Sequence, residues 1–351
     1  MPSILLIRLG LQDRSEIGMF GRPPEDPGGR GYDEVDMIDW RRSLRWMLSL
    51  AGLALPILLL GTGCSTLAFL RSREKPIEDK VDQPSTQRRA DVPSLPGQYS
   101  FRIAPYVFLS DFEISKDQPL FAELAQLRDQ VYKELLLPAG TAVVQVYLFE
   151  TKEAYTAYMN FKHKDLPPRR AFFIAQPRGL NSEDLIVYTY WSDRIRQDLR
   201  HELTHALLHS VIRDVPLWLD EGLAEYFELP PEKKCVNADH VDLLRRGLAS
   251  GTHKPNLARL EGLRQVDEMN PAEYREAWAW VHLMLHSDTE AKTALLSYLQ
   301  QLRGTRTPGA LGEKLGRVFT DTNKTFADHL AAIEVRLTRE KADAERATAR
   351  K

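Results

Sequence analysis

The sequence predicts an α+β protein, in which a small mixed or antiparallel sheet is followed by a mainly helical half. Short segments rich in β-branched and aromatic residues, such as "AVVQVYLFE" at 142–150, fall between about residues 99 and 191. Beyond residue 192 the apolar residues recur at helical spacing instead. Strands that come first, with helices afterwards, are typical of α+β architecture.

The first 70 residues depart from a globular pattern. Residues 1–36 contain "GRPPEDPGGRG" and are predicted to be a disordered extension, with Met37 as an alternative start. Residues 37–70 place three arginines before an apolar run and small residues before Cys64, which is the order of a secretory signal. The end of the apolar run and the residues around Cys64, "LLLGTGCST", resemble the lipobox of bacterial lipoproteins, and this resemblance implies lipidation of Cys64.

The same segment has two other interpretations. Residues 46–70 are long enough for a single membrane span, which needs about 20 residues, and arginines flank both ends. A buried core helix is the third interpretation. The lipoprotein and the single-span anchor both place the rest of the chain outside the cytoplasm, attached to a membrane of the cell envelope.

The remaining chain divides into a polar, proline-containing linker at 71–98, a folded domain at 99–335 and a charged helical tail at 336–351. Strands are predicted at 99–110, 142–150, 170–176 and 184–191. Helices are predicted at 118–137, near 152–161, from caps at Ser192 and Asp193 to about 212, and at 217–228, 239–250, 271–287, 292–303 and from 326 onward. The net charge of −2 provides no overall basic field, so nucleic acid is not an expected partner.

The stretch "HELTH" at 201–205 is the first candidate for chemistry. His201 and His205 are four residues apart, so a helix places both rings on one face, where they can reach one metal ion. Glu202 lies on the adjacent flank, where it can act on water without binding the metal. The alternative is that these are two ordinary histidines of a helix with a glutamate between them. A third metal ligand at a suitable position would therefore favour the metal site.

The stretch "PLWLDEGLAEYFE" at 216–228 supplies that ligand. Glu221 lies on a second helix, joined to the first by a short loop, so the two helices can cross near one metal ion. Glu225 follows one turn later, at a position suited to holding a histidine ligand by its second ring nitrogen. His209 lies a further turn along the first helix and is not expected to bind the metal.

Together, HELTH and WLDEGLAEYFE resemble the gluzincin metallopeptidases, which include thermolysin and the zinc aminopeptidases. More narrowly, the chain from about 99 to 330 is similar to a bacterial peptidase-MA-like family of uncharacterised extracytoplasmic proteins. The resemblance implies a zincin-type helical half and one Zn²⁺ per chain, held by His201, His205 and Glu221, with Glu202 as general base.

The resemblance also implies two features of the substrate cleft. Gluzincins place a Tyr or His near the oxyanion, and "YREAWAWVHLML" offers Tyr274 and His282, each of which is alternatively a packed core residue. The strand "LIVYTYW" fits an edge strand that pairs with an extended substrate, and an ordinary sheet strand is the alternative.

These observations lead to a functional hypothesis and one alternative. The hypothesis is a membrane-tethered, extracytoplasmic zinc metallopeptidase that hydrolyses peptide or protein substrates. No motif for recognising an N-terminal amine is evident, which favours an endopeptidase. The alternative is a zinc-containing binding or scaffold lipoprotein with weak or no turnover, although Glu202 argues against it because a structural site needs no base.

Overall fold

The computed structural model describes residues 6–8, 92–178, 182–304 and 308–349. The predicted signal or anchor segment, including Cys64, and residues 71–91 of the linker lie outside these residues. Among the described helices, none combines the length and the apolar character that crossing a bilayer requires.

The described residues form a six-stranded mixed sheet. Its strands are β1 (Leu6–Arg8), β2 (Tyr99–Ile103), β3 (Tyr106–Ser110), β4 (Val144–Phe149), β5 (Ala171–Pro177) and β6 (Glu183–Tyr190), in the order β1-β5-β6-β4-β3-β2. Strands β2 and β3, and β5 and β6, pair antiparallel, whereas the other neighbours pair parallel. The sheet precedes a mostly helical part, and this confirms the α+β prediction.

Three sequence expectations about the strands differ from the structure. The segment 99–110 is a hairpin that turns at Ala104–Pro105, not one strand, because proline has no N–H to donate to a continuous ladder. The segment 185–191, most of which lies in β6, is an interior strand and not an edge strand, since β5 pairs along its outer side. Strand β1, which pairs with β5, was not predicted.

Ten helices lie in the described part of the chain. They are α1 (Pro119–Glu134), α2 (Lys152–Lys162), α3 (Ile195–His209), α4 (Leu217–Phe227), α5 (Ala238–Ser250), α6 (Leu257–Gly262), α7 (Pro271–His286), α8 (Thr289–Gly304), α9 (Leu311–Val318) and α10 (Thr322–Ala349). The short helices α6 and α9 were not predicted. The N-cap of α3 is Arg194, so Ser192 and Asp193 precede the helix instead of capping it.

The two faces of the sheet bury different helices. One lateral row runs through Phe108, Val146, Val187 and Phe173 and packs with α1 and α3. Residues one position away face the opposite side, where Phe172 and its neighbours pack against α2. This is the period of two expected of strands covered on both faces, and it places α3 directly beneath the sheet.

Helix α4 packs closely on both α3 and α7. At Gly222 of α4, a Cβ would lie only 2.8 Å from the carbonyl oxygen of Ala277 and 3.0 Å from a methyl group of Val281. A residue without a side chain is therefore required where the two helices meet, and this contact holds the middle of α4 in place.

Candidate metal centre

Helix α3 presents two buried imidazoles on one face. His201 and His205 are both inaccessible to solvent, and their ring centroids are 5.0 Å apart. Phe173 of the sheet stacks on His205 at a centroid distance of 6.2 Å. Phe173, the last residue of the buried row across the sheet, therefore contacts His205 and limits the movement of its ring.

Helix α4 adds a carboxylate at the same point. Oε2 of Glu221 lies 3.4 Å from Nε2 of His201 and 3.6 Å from Nε2 of His205. Ligand atoms around a tetrahedral zinc ion, with bonds of 2.0–2.2 Å, are about 3.3–3.6 Å apart. The three side chains that the sequence assigned as ligands thus converge with spacings that suit one metal ion.

The hydrogen-bonding state of these atoms also fits a metal ion. Both Nε2 atoms and both oxygens of Glu221 are buried without a hydrogen-bond partner. Buried polar atoms are ordinarily paired, so a cluster of four unpaired donors and acceptors requires another partner. Imidazole and carboxylate are ligands for zinc and for other divalent transition metals.

Two further carboxylates, one on α4 and one directly after its last residue, contact the histidines from the side opposite Glu221. Nδ1 of His201 and Oε2 of Glu228 form a hydrogen bond of 3.0 Å, and Nδ1 of His205 lies 3.0 Å from Oδ1 of Asp220. The other oxygen of Asp220 is 3.1 Å from Nε2 of His209. These contacts orient the rings so that the Nε2 atoms point at Glu221, an arrangement common around metal-binding histidines.

The sequence had assigned this orienting role to Glu225. In the structure Glu225 lies near His201 and Glu228, and its carboxylate is 3.8 Å from Nε2 of His240. The carboxylates in contact with the Nδ1 atoms of the two proposed ligands are those of Glu228 and Asp220. Sequence reasoning missed both residues, although Asp220 lies on the same helix as Glu221 and Glu228 directly follows it.

Arg200 fixes the end of α4 next to the site. Its side chain is 1% exposed and donates hydrogen bonds to the carbonyl oxygens of Phe227, Glu228 and Leu229. These are carbonyls at the end of α4, which the helix itself leaves without partners. The same guanidinium contacts Glu123 of α1 at 3.3 Å, so it joins three helices beside Glu228.

Glu202 has the environment of a carboxyl group that exchanges protons near neutral pH. It is fully buried, and neither of its oxygens has a hydrogen-bond partner. Burial raises its pKa to about 7, and the charges of Glu221 and Asp198 act in the same direction, while the two histidines oppose them. A carboxyl group with such a pKa can act as a general base or acid at physiological pH.

The histidines experience a strongly negative environment. Burial opposes protonation of His205, but Asp220 and Glu221 outweigh it and raise its pKa to about 10. Glu221 and Glu228 likewise raise the pKa of His201 well above its ordinary value. The same carboxylates that favour a proton here also favour a metal cation.

A cavity of about 760 Å³ opens beside the candidate ligands. It is lined by Arg170, Arg194, Gln197, Asp198, His201, Glu225, Glu228, Asn237, Asp239 and His240. Its lining has more carboxylates than cationic side chains. It includes His201, so the cavity adjoins one of the three candidate ligands.

The two residues considered for oxyanion stabilisation lie on α7. Tyr274 is buried among core residues at the first turn of the helix. His282 is 1% exposed, and its Nδ1 lies 2.8 Å from Nε2 of His329, while its ring stacks on His286. Among the described residues, neither Tyr274 nor His282 lines the cavity at His201.

Comparison with known proteins supports a family assignment for part of the chain. Residues 196–308 match a family model described as protein of unknown function (DUF1570). The chain contains a DUF1570 domain. This domain includes α3 and α4 with all the candidate ligands, and it agrees with the resemblance to a peptidase-like family of uncharacterised proteins. A search of curated proteins finds no match.

Proposed function

We propose that the DUF1570 domain and the sheet before it form a zinc-dependent hydrolase that cleaves peptide bonds. The observation that carries this proposal is the unpaired, buried carboxylate of Glu202 beside three converging ligand atoms. A metal site with a purely structural role needs no such group. The signal-like segment before Cys64 supports an extracytoplasmic, membrane-tethered location for the same activity.

His201, His205 and Glu221 would hold the metal ion. Zinc bound by three protein ligands supplies a coordination position for water, lowers the pKa of that water to about 7 and polarises a carbonyl group. Glu228 and Asp220 keep the two imidazole rings in the orientation that binding requires.

Glu202 has the central chemical role in the proposal. Its carboxylate accepts a proton from the attacking water, and the resulting carboxyl group donates that proton to the leaving amine when the peptide bond breaks. A pKa of about 7 suits both steps, because the group is neither too weak as a base nor too weak as an acid at neutral pH. Burial keeps bulk water away from the carboxylate.

Metal content is the first test. The purified full chain, never exposed to chelator, should contain about one zinc ion per molecule by elemental analysis, since three ligands converge on one point. A His205→Ala variant should lose this metal. Wild-type protein without zinc or another transition metal would remove the basis of the proposal.

The Glu202→Gln variant tests the catalytic role. It should keep its metal and lose hydrolysis of a peptide library by about 10²–10⁴-fold, because the base is gone while the ligands remain. Glu232→Gln, at an exposed position, is the matched control and should retain full activity. If wild type and Glu202→Gln are equally inert while both bind metal, the scaffold interpretation is correct instead.

A further inference from the structure

A second cavity lies beside α2, on the face of the sheet opposite α3. Its volume is about 320 Å³, at the small end of the range for ligand pockets and sufficient for one amino-acid residue. Its apolar wall consists of Tyr155, Met159, Leu166, Phe172 and Tyr190. This wall is suited to an aromatic or long aliphatic group.

The charged residues that line this cavity are cationic. Lys152, Arg169 and Arg170 belong to the lining, and within the described residues no carboxylate does. This composition is the opposite of that in the cavity at His201, where acidic residues predominate. An apolar ligand that carries a negative charge is therefore complementary to the α2 cavity.

Two donor atoms of residues that line the cavity have no hydrogen-bond partner in the structure. Tyr155 is 2% exposed, and its hydroxyl group is buried without a hydrogen bond. Nη1 of Arg169 is likewise buried and unpaired. Burial, together with the charges of Glu202 and Asp198, raises the pKa of Tyr155, so the hydroxyl stays protonated and can donate. Both groups lack the acceptor that a buried donor ordinarily has, and a ligand carboxylate is one group that supplies it.

Arg170 connects this cavity to the proposed active site. It lines both cavities, and its Nε lies 3.0 Å from Oδ2 of Asp198. Asp198 lies on α3, one helical turn before Glu202. A ligand that extends past Arg170 from the α2 cavity therefore approaches the wall of the other cavity that carries Asp198 and His201.

We propose that the α2 cavity binds the carboxyl-terminal residue of a peptide, with an aromatic or long aliphatic side chain against Phe172 and the terminal carboxylate at Tyr155 and Arg169. That this peptide is the substrate rests on the proposed hydrolase function. The binding of an apolar carboxylate in the α2 cavity does not depend on that proposed function.

Calorimetric titration of N-acetyl-L-phenylalanine into the full-length Glu202→Gln protein tests the proposal, because this variant cannot turn the probe over. We expect saturable binding with one molecule per chain, and at least tenfold weaker binding of N-acetyl-L-phenylalaninamide, which lacks the charge.

Tyr155→Phe and Arg169→Met, introduced separately, should each weaken binding of the carboxylate by about tenfold, as expected for hydrogen bonds to a charged group. Thr156→Phe should block binding by filling the cavity from its lining.

Matched controls separate these effects from general damage. Tyr158→Phe removes a hydroxyl group from the same helix outside the cavity, and Arg178→Met removes an exposed cation. Both should bind the probe like the parent protein. Unchanged affinity in Tyr155→Phe and Arg169→Met, equal affinity for the amide, or absence of saturable binding would overturn the proposal. Tighter binding of octanoate would assign the cavity to a fatty acid instead.

The outcomes also distinguish this inference from the proposed function. Cleavage of peptides by a protein that does not bind the probe would refute the cavity assignment alone. Saturable binding by a protein without Glu202-dependent hydrolysis would refute the proposed function alone.

Discussion

The orientation of the two imidazole rings depends on which carboxylate stands behind each one. Helices α3 and α4 run antiparallel, so His205 lies beside the start of α4 at Asp220, whereas His201 lies beside its end at Glu228. Glu228 is seven residues beyond Glu221, and two helical turns therefore separate ligand and support on one face. Each of these carboxylates contacts the Nδ1 atom of a histidine, and would act on a bound metal ion through that ring.

Replacing either supporting carboxylate should weaken metal binding without removing a ligand. Asp220→Asn and Glu228→Gln are each expected to lower zinc affinity about 10–100-fold, because the ring loses the partner that orients it and raises its basicity. Competition with a chromophoric chelator measures this change. Glu225→Gln should have a smaller effect, and a larger loss at Glu225 than at Glu228 would contradict the arrangement described above.

At the scale of the elements, the contact between α4 and α7 controls where Glu221 stands. Gly222 is adjacent to Glu221 in sequence, and the backbone of Ala277 leaves no space for a side chain there. Any group added at this position must push α4 away from α7. The ligand carboxylate would move with it.

Gly222→Ala should therefore destabilise the fold by about 1–3 kcal/mol, the usual effect of overpacking. It should also reduce metal content. Urea unfolding of protein from which a chelator has removed the metal measures the change in stability, and elemental analysis measures the metal content.

Gly316→Ala is the matched control. A Cβ at this position meets nothing within 4 Å, and alanine is the better helix former, so this substitution should raise stability by about 0.5–1 kcal/mol. Similar effects of the two substitutions would show that helix propensity, and not close packing, dominates at Gly222.

The sequence predicted the features that depend on local spacing. The pair His201 and His205 follows from the helical repeat, and Glu221 follows from a second helix after a short loop. The supports Asp220 and Glu228 depend on how α4 crosses α3, which no local pattern specifies. For the same reason, the position of β5 outside β6 was not anticipated, since strand order depends on contacts far apart in sequence.

At the scale of the whole molecule, a second group of histidines lies between α7 and α10. His282 contacts both His286, at a ring-centroid distance of 4.3 Å, and His329. Burial, reinforced by neighbouring positive charges, lowers the pKa of His282 to about 2 and that of each of the other two to about 4. In the unfolded chain each would titrate near 6.5.

These depressed pKa values predict loss of stability in mild acid. Between pH 6.5 and 4 the unfolded chain binds more protons than the folded protein, so the free energy of unfolding falls as pH falls through this range. For His282 alone the loss at pH 4.5 amounts to about 2–3 kcal/mol. Urea unfolding at pH 7 and 4.5, with metal removed from every sample, measures it. His282→Gln should flatten this dependence more than His163→Gln, whose ring is only partly buried. An unchanged slope in His282→Gln would contradict the prediction.

Some residues that support the candidate metal centre lie outside the matched domain, and the partners of Arg200 are among them. Arg200 lies inside the DUF1570 domain, but Glu123 and Gln130, which pair with its guanidinium, lie on α1, outside the matched residues. Phe173, which packs on the proposed ligand His205, also precedes the match. A duplication or fusion that carried only residues 196–308 would leave a buried cation without its carboxylate and an apolar helix face without its sheet. Descent of a working centre therefore requires that the sheet, α1 and the matched helices pass on together as a single inherited module.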